Sequence, residues 1–295
     1  MKKKSYLTLI TLLSICIIAL GFFLTYKPRP TRYAVFAGYN ENQTIEPYIL
    51  TYLKGLNEIT DGIVYITDSP LLETEKTKLK KFNILFSSFK RHNEYDWGSY
   101  KRGYLWLKNN GYLEKADEVI FANDSCFAPI TNFKEMFSSM EKHKTIDFWG
   151  NTQSAFRYPH LQSYFMVFRK RILHSQIFDK FFTDIKYQPT HLDYIFHYEI
   201  PLTTAFSTHG FSWKSYIIGL SPPLDNIYYH PLTYLKEYKN QFIKKKIYTS
   251  PEVYEKMTED RFVLLDYLKN NHYTTYQNIL LYLTPEQKEQ TNDNN

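Results

Sequence analysis

Short β-rich runs alternate with amphipathic helical stretches through the first half of the chain, and this alternation restricts the fold more than any other feature. Residues 32–37 (RYAVFA) form a β-rich run ending at Gly38, and Ile45, Tyr48, Ile49, Tyr52, Leu53 and Leu56 then recur at helical spacing before the strand-like run 62–67 (GIVYIT). That is a βαβ unit. A second helix is expected over 73–80, a third strand over 82–86, a helix over 97–109 stopped by Gly111, and a fourth strand over 118–122. Parallel neighbours need crossover connections, so this order implies an α/β fold with a mainly parallel central sheet. Ligands of such sheets bind beyond the carboxyl ends of the strands. The second half is less regular. It is expected to hold a helix at 133–141, strands at 146–149 and 163–168, and helices at 171–183 and 199–208. Pro201 falls in the first turn of the last of these and Gly210 follows its end, and two further helices are expected within 251–283. The sequence contains no internal repeat, no GxGxxG and no P-loop.

Hydrophobic residues at 43% and aromatics at 18% suffice for a packed core. The formal charge of +6 is modest, and basic residues are scattered among acidic ones except at Lys2 to Lys4 and Lys244 to Lys246. Such a balance suits anionic small molecules or a membrane surface, and without a basic-aromatic stretch it argues against nucleic acid as a partner. The two cysteines, Cys16 and Cys126, make an intrachain disulfide unexpected and favour a reducing compartment. Cys126, behind a strand, reads as a small buried side chain rather than a nucleophile.

No charge occurs in residues 5–26 (SYLTLITLLSICIIALGFFLTY). A helix of that length reaches about 30 Å, the thickness of a bilayer core, so the segment reads as a transmembrane anchor. A cleaved signal peptide is the alternative, with Lys2 to Lys4 as its basic start and Ala19-Leu20-Gly21 as a cleavage site. Lys27, Arg29 and Arg32 on the other side nearly balance the flanking charge, so orientation stays open. The expected organisation is a basic N-terminus (1–4), the anchor or signal peptide (5–26) and a stiff linker (27–31). The main domain (32–250), a C-terminal helical appendage (251–284) and a disordered polar tail (285–295) follow.

Asn123-Asp124-Ser125 follows the fourth strand, so the carboxylate of Asp124 should emerge at the ligand edge of the sheet. A diphosphate there calls for Mg²⁺ or Mn²⁺, which take hard oxygen ligands; an Asx turn ending the strand explains the same three residues. The segment 91–99 (RHNEYDWGS) opens the helix that precedes Asp124. A helix N-terminus presents free N–H groups to anions, Arg91 adds charge and Gly98 permits close approach, while Asp96 also suits an N-cap.

Taken in order, 33–39 (YAVFAGY), 91–99, 121–126 (FANDSC), 147–150 (DFWG) and 160–165 (HLQSYF) resemble the rhamnan synthesis protein F family, over about 33–246. That family is associated with glycosyl transfer, notably of rhamnose, in bacterial cell-surface polysaccharide assembly. The resemblance implies a GT-A-like nucleotide-sugar-binding fold with Asn-Asp-Ser in the place of Asp-x-Asp, so that Asp124 would hold the divalent metal. It implies a nucleotide-sugar donor bound by Tyr39, Arg91, Asn93, Tyr95, Asp96, Gly98, Ser99 and Asn123. Glu199 resembles the base of inverting GT-A enzymes, with helix capping as its alternative. Asp147 is a second candidate for base or sugar contact. His160, Gln162 and Ser163 are candidates for the acceptor or sugar pocket, where a polar strand start serves equally. His230 resembles the late histidine that completes the metal shell, although a tyrosine-rich loop also accounts for it. Two positions depart from the family pattern: Glu94 replaces a glycine before Tyr95-Asp96, and His230-Pro231 replaces Asn-Pro.

The expected function is transfer of a sugar, rhamnose or another deoxyhexose, from a nucleoside diphosphate to a lipid-linked or cell-surface polysaccharide. The alternative is a catalytically silent glycan- or nucleotide-binding module tethered to polysaccharide assembly machinery. Nucleotide sugars are made in the cytosol, which places the expected domain on the cytoplasmic face of a bacterial inner membrane.

Overall fold

A computed structural model describes residues 29–217, 227–257 and 259–283. The expected segment 5–26 and tail 285–295 lie outside the described residues, among which no helix is long and apolar enough to cross a membrane. The chain divides into Met1–Pro30 and Thr31–Asn295, and the architecture below is that of the second unit.

Four strands, β1 (Arg32–Gly38), β2 (Gly62–Thr67), β3 (Ile84–Phe89) and β4 (Glu118–Asn123), form the parallel part of a seven-stranded sheet. The sheet order is Trp213–Ser215, Phe148–Gly150, Phe165–Arg169, β4, β1, β2, β3. Phe165–Arg169 runs antiparallel to both its neighbours, and every other pairing is parallel. The mainly parallel α/β sheet expected from the alternation is therefore present. Parallel strands are covered on both faces, and β1, β2 and β4 are buried along their whole length.

Side chains alternate between two cores. Phe36, Tyr65 and Val167 pack with Tyr52 and Leu53 of the helix Pro47–Asn57 and with Leu264, Leu268 and Ile279 of the C-terminal helices. Val35, Val64, Phe121 and Phe168 pack on the other face against Trp97, Tyr104, Phe178 and Phe206. Phe121 alone meets Tyr100, Phe168 and Phe182 at ring separations of 5.3, 5.6 and 4.6 Å, and burying such a ring contributes roughly 1.5–3 kcal/mol. The helix Tyr95–Asn109 lies so close to β1 that a Cβ on Gly103 would sit 2.2 Å from Val35 Cγ1. This helix ends as expected at Gly111, whose φ of +72° is cheap only for glycine.

Several elements differ from expectation for local reasons. The stretch expected as one helix at 73–80 is a helical turn, Glu73–Lys76, followed by a 3₁₀ turn, Thr77–Lys81, which delays β3 to Ile84. Ser175 accepts from the Phe178 N–H and starts a new helix, so 171–183 is split into Lys170–Leu173 and Gln176–Thr183. The C-terminal stretch holds three helices, Pro251–Lys256, Arg261–Asn271 and Tyr273–Tyr282, because Met257 is extended and Asp260 caps anew. The helix expected to begin at Glu199 begins at His191 instead. Thr190 and Asp193 form a capping box, and a π turn, Ile195–Glu199, leads into Ile200–Ser207. Pro201 has no N–H for a regular ladder, and the widened turn lies just before it. Glu199 is therefore inside a helical segment, which removes helix capping as its explanation. The edge strand Trp213–Ser215 has no clear sequence signal.

A buried ion network ties the amino ends of the strands together. Glu118 accepts from Arg32 Nε at 2.6 Å and from Arg169 Nε at 3.0 Å. Arg32 also pairs with Glu141, and Arg169 donates to the carbonyls of Met140, His143 and Ile146.

Candidate functional site

From β1 the chain moves outward to β2 and β3 and then returns to place β4 on the other side of β1. The carboxyl ends of β1 and β4 thus flank a topological switch point, where loops diverge and leave a crevice. Asp124 sits there. Its N–H donates to the Ala37 carbonyl at 3.1 Å, and its Oδ2 accepts the Tyr39 N–H at 3.0 Å. The Asx turn belongs to Asn123, whose Oδ1 accepts from the Ser125 N–H and hydroxyl at 3.1 and 2.7 Å. Asn123 Nδ2 donates to Asp96 Oδ2 at 2.7 Å.

A cavity of about 620 Å³ opens over this point. β1 supplies Ala37, Gly38 and Tyr39 to its wall, the end of β2 supplies Asp68, and β4 supplies Asn123, Asp124 and Ser125. Arg91, Asn93, Tyr95 and Asp96 line a further side, with Tyr187, Pro189 and His191 facing them from the second half of the chain. Asp68 holds the 91–96 loop: its Oδ1 accepts from the N–H groups of His92 and Asn93 at 2.6 and 2.8 Å. Arg91 donates to the Asp68 carbonyl at 3.1 Å and to Asn93 Oδ1 at 2.6 Å, and its guanidinium lies 5.0 Å from the Tyr39 ring centre. Asn93 and Tyr95, which both line the cavity, have φ of 57° and 52°, a strained conformation that at Asn93 is fixed by these bonds. Burial, with Arg102 nearby, pushes the His92 pKa down to about 4, so the ring is neutral at pH 7. Its Nδ1 accepts the Glu94 N–H at 3.2 Å, which assigns the proton to Nε2, donating to Ser99 Oγ at 3.0 Å.

The sequence pattern that defines rhamnan synthesis protein F matches residues 63–290, most of the chain. The chain belongs to the rhamnan synthesis protein F family. It is similar to the uncharacterised protein y4gN of Sinorhizobium fredii, with 25% identity over 182 residues. That match covers 61% of this chain and 44% of the relative, so it spans less than half the relative's length. Two solved structures are similar in fold. One is a glycosyltransferase involved in glycosylation of the major capsid of PBCV-1, with 10% identity, 73% of this chain and 94% of that chain covered, and a TM-score of 0.39. The other is core-mannan synthase A from Aspergillus fumigatus in its Mn/GDP form, with 11% identity, coverage of 60% and 68%, and a TM-score of 0.35.

Six of the eight candidate donor residues, Tyr39, Arg91, Asn93, Tyr95, Asp96 and Asn123, line one cavity with Asp124. Gly98 and Ser99 do not line it. Both are buried, Ser99 holds His92, and a Cβ on Gly98 would meet Glu94 Cβ at 2.2 Å, so that glycine admits Glu94 rather than a ligand. Glu94 itself has an ordinary φ of −120°, needs no glycine there, and pairs with Arg102. Its departure from the family pattern leaves the loop ordered.

Glu199, His160, Gln162 and Ser163 form a layer that does not line the cavity. Glu199 Oε2 accepts from the Ser163 N–H at 2.9 Å and from its hydroxyl, and Oε1 lies 3.8 Å from His160 Nε2. Gln162 Oε1 accepts the Thr152 hydroxyl at 2.7 Å. The cavity carboxylate that senses this layer is Asp96. Burial raises its pKa above the ordinary aspartate value; His191 opposes the shift and the charge of Glu199 adds to it.

Two expected site residues lie elsewhere. Asp147 precedes Phe148–Gly150, which runs parallel to β4, so it stands at the amino edge of the sheet, opposite Asp124. There its carboxylate takes a bidentate pair from Arg171 and bonds from Ser212, which hold its pKa below the ordinary range against the effect of burial. It is an architectural ion, neither base nor sugar contact. His230 precedes the helix Pro231–Tyr238 and is not among the cavity-lining residues.

A divalent cation fits this site in one way. Among the described residues no group of three or more His, Cys, Asp or Glu side chains is arranged to hold a metal. Asp124 Oδ1, however, accepts no hydrogen bond from the described residues, on a carboxylate that lines the cavity. Mg²⁺ or Mn²⁺ bound through one carboxylate and substrate phosphates needs no more from the protein.

Sequence reading missed Asp68, although Thr67-Asp68-Ser69 follows β2 just as Asn123-Asp124-Ser125 follows β4. Nothing local marks Tyr187, Pro189 and His191. The ring of Tyr95 packs on His191 and Tyr194 at 5.3 and 5.6 Å and brings that segment over the cavity.

Proposed function

We propose that this chain is a glycosyltransferase that moves a sugar, rhamnose or another deoxyhexose, from a nucleoside diphosphate to a lipid-linked or polysaccharide acceptor with inversion. The observation that supports it most is the switch-point cavity, in which the Asp124 carboxylate, the Arg91 guanidinium and a strained polar loop converge. Asp124 would hold a divalent cation arriving with the donor, which supplies charge to offset the leaving diphosphate. Arg91, stacked near Tyr39, adds a guanidinium on the same wall. Asp96 takes the acceptor hydroxyl proton, because it is the lining carboxylate whose pKa is lifted toward working pH. Glu199 is a positioning residue that holds Ser163 and acts on Asp96 through its charge. Residues 5–26 anchor the chain in a bacterial inner membrane, with the catalytic unit on the cytoplasmic side beside polysaccharide assembly machinery.

The direct test is a donor-hydrolysis screen of the full chain over nucleotide sugars, with and without Mn²⁺. Release of nucleoside diphosphate from one donor supports transfer, whereas donor binding without turnover identifies a silent binding module. The base assignment carries its own prediction. Activity falls as pH drops through the raised Asp96 pKa, since the base must be ionised. Removing the negative charge in Glu199→Gln lowers that pKa, so the acidic limb of kcat/KM shifts to lower pH. An unmoved limb in Glu199→Gln, or full activity in Asp96→Asn, rejects the assignment.

A further inference from the structure

The only lysine run in the second half of the chain, Lys244 to Lys246, is placed at the Asn-Asp-Ser turn by strand pairing. Ile243–Lys244 pairs antiparallel with Cys126–Phe127, so Lys244 lies opposite Cys126, and the Lys245 N–H donates to the Ser125 carbonyl at 3.0 Å. Lys244 is 6% exposed. Its ammonium carries three protons, yet among the described residues its one hydrogen-bond acceptor is Ser125 Oγ at 3.1 Å, and no carboxylate pairs with it. Two π faces lie beside it, with the Tyr164 ring centre at 3.8 Å and that of Tyr228 at 5.8 Å.

A buried ammonium with one neutral acceptor is costly unless an anion completes it. Burial pushes its pKa down, and the neighbouring Cys126, Tyr228, Glu199 and Asp96 oppose that and raise it. Ser125, the group it touches, lines the cavity, and its hydroxyl proton goes to Asn123, leaving a lone pair for the ammonium. Lys245 is occupied differently: it donates to the Tyr48 hydroxyl at 2.7 Å and lies 3.8 Å from Asp124 Oδ2. Lys244 is thus the cation at this turn that lacks an anionic partner.

We propose that Lys244, which does not itself line the cavity but is buried directly behind the lining residue Ser125, is the resident cation that meets the terminal phosphate of a nucleoside diphosphate bound there. This rests on the donor-site reading above. It adds that part of the diphosphate charge is met by the protein itself, so a diphosphate binds without a divalent metal.

Titration of the full chain with inorganic pyrophosphate by calorimetry, in EDTA and again in Mn²⁺, tests this. The wild type is expected to bind pyrophosphate in EDTA. Lys244→Met should bind at least tenfold more weakly while melting cooperatively, and Lys244→Arg should stay within about threefold of the wild type. Lys244→Gln replaces the methionine variant if that one does not fold. Equal affinity in the neutral variant, or wild-type binding that appears only with Mn²⁺, overturns the role of Lys244 and leaves the donor site standing. No binding under either condition overturns both.

Discussion

Asp124→Ala is expected to lower kcat/KM for nucleoside diphosphate release about a thousandfold or more, at nearly unchanged stability. The catalytic loss follows from position. Asp124 stands where β1 and β4 part, one oxygen fixed by the Tyr39 N–H and the other free of hydrogen-bond donors among the described residues, so alanine removes the ligand that would hold the metal against the diphosphate. Charge-stabilising groups in enclosed sites are typically worth 10²–10³ in rate, about 3–4 kcal/mol, and loss of a metal adds to that. The small stability effect follows from the backbone. The Asp124 N–H bond to Ala37 persists in alanine, and the Asx turn is made by Asn123. Asp124→Asn keeps an acceptor for Tyr39 while removing the charge, so it separates loop support from metal binding. Steady-state kinetics with Mn²⁺ titration, alongside thermal melting, gives the result. Turnover in Asp124→Ala close to wild type would refute the site.

Glu118→Ala has the opposite profile: a loss of about 3–5 kcal/mol in stability with chemistry intact below the melting transition. Glu118 is 4% exposed and neutralises both Arg32, itself 3% exposed, and Arg169. Removing it leaves two guanidinium groups facing each other without their shared anion, and Arg32 keeps only the more exposed Glu141. Breaking a buried pair from one side is expensive for this reason, even where the pair itself adds little over an apolar replacement. For a unit of this size the shift is roughly 10 °C in Tm. β4 carries Glu118 at one end and leads into Asp124 at the other, on the order of 20 Å away, so the site should survive. Circular dichroism melts and activity at low temperature check both halves, and a melting shift below a few degrees would contradict the burial argument.

The strands β1, β2 and β4 and the helices Pro47–Asn57 and Tyr95–Asn109 were legible because their signals are local: short β-rich apolar runs, helical spacing from Ile45 to Leu56, and a glycine stop at Gly111. Asp124 was legible for the same reason, since a polar tripeptide after a buried strand must emerge at the sheet edge. Asp147 was not placed by such a local signal. It precedes the strand Phe148–Gly150, and direction within the sheet put it at the opposite edge beside Arg171. Gly98 and Ser99 were expected at the open first turn of a helix from Trp97, yet the helix begins at Tyr95 and turns both inward.

By itself the sequence determined the α/β alternation, the family, the switch-point carboxylate and most of the loop that faces it. Each of these is encoded in residues within a few positions of one another. The tertiary structure alone decided that Asp68 anchors the loop, that His191 closes the cavity from nearly seventy residues beyond Asn123, and that Lys244 lies under Ser125. It also decided that Glu199 reaches Ser163 and not the cavity. These placements depend on strand pairing and helix packing between distant segments. Charge and hydrogen-bonding capacity are written into a side chain, but which partner satisfies them is set by what the folded chain brings within about 3 Å.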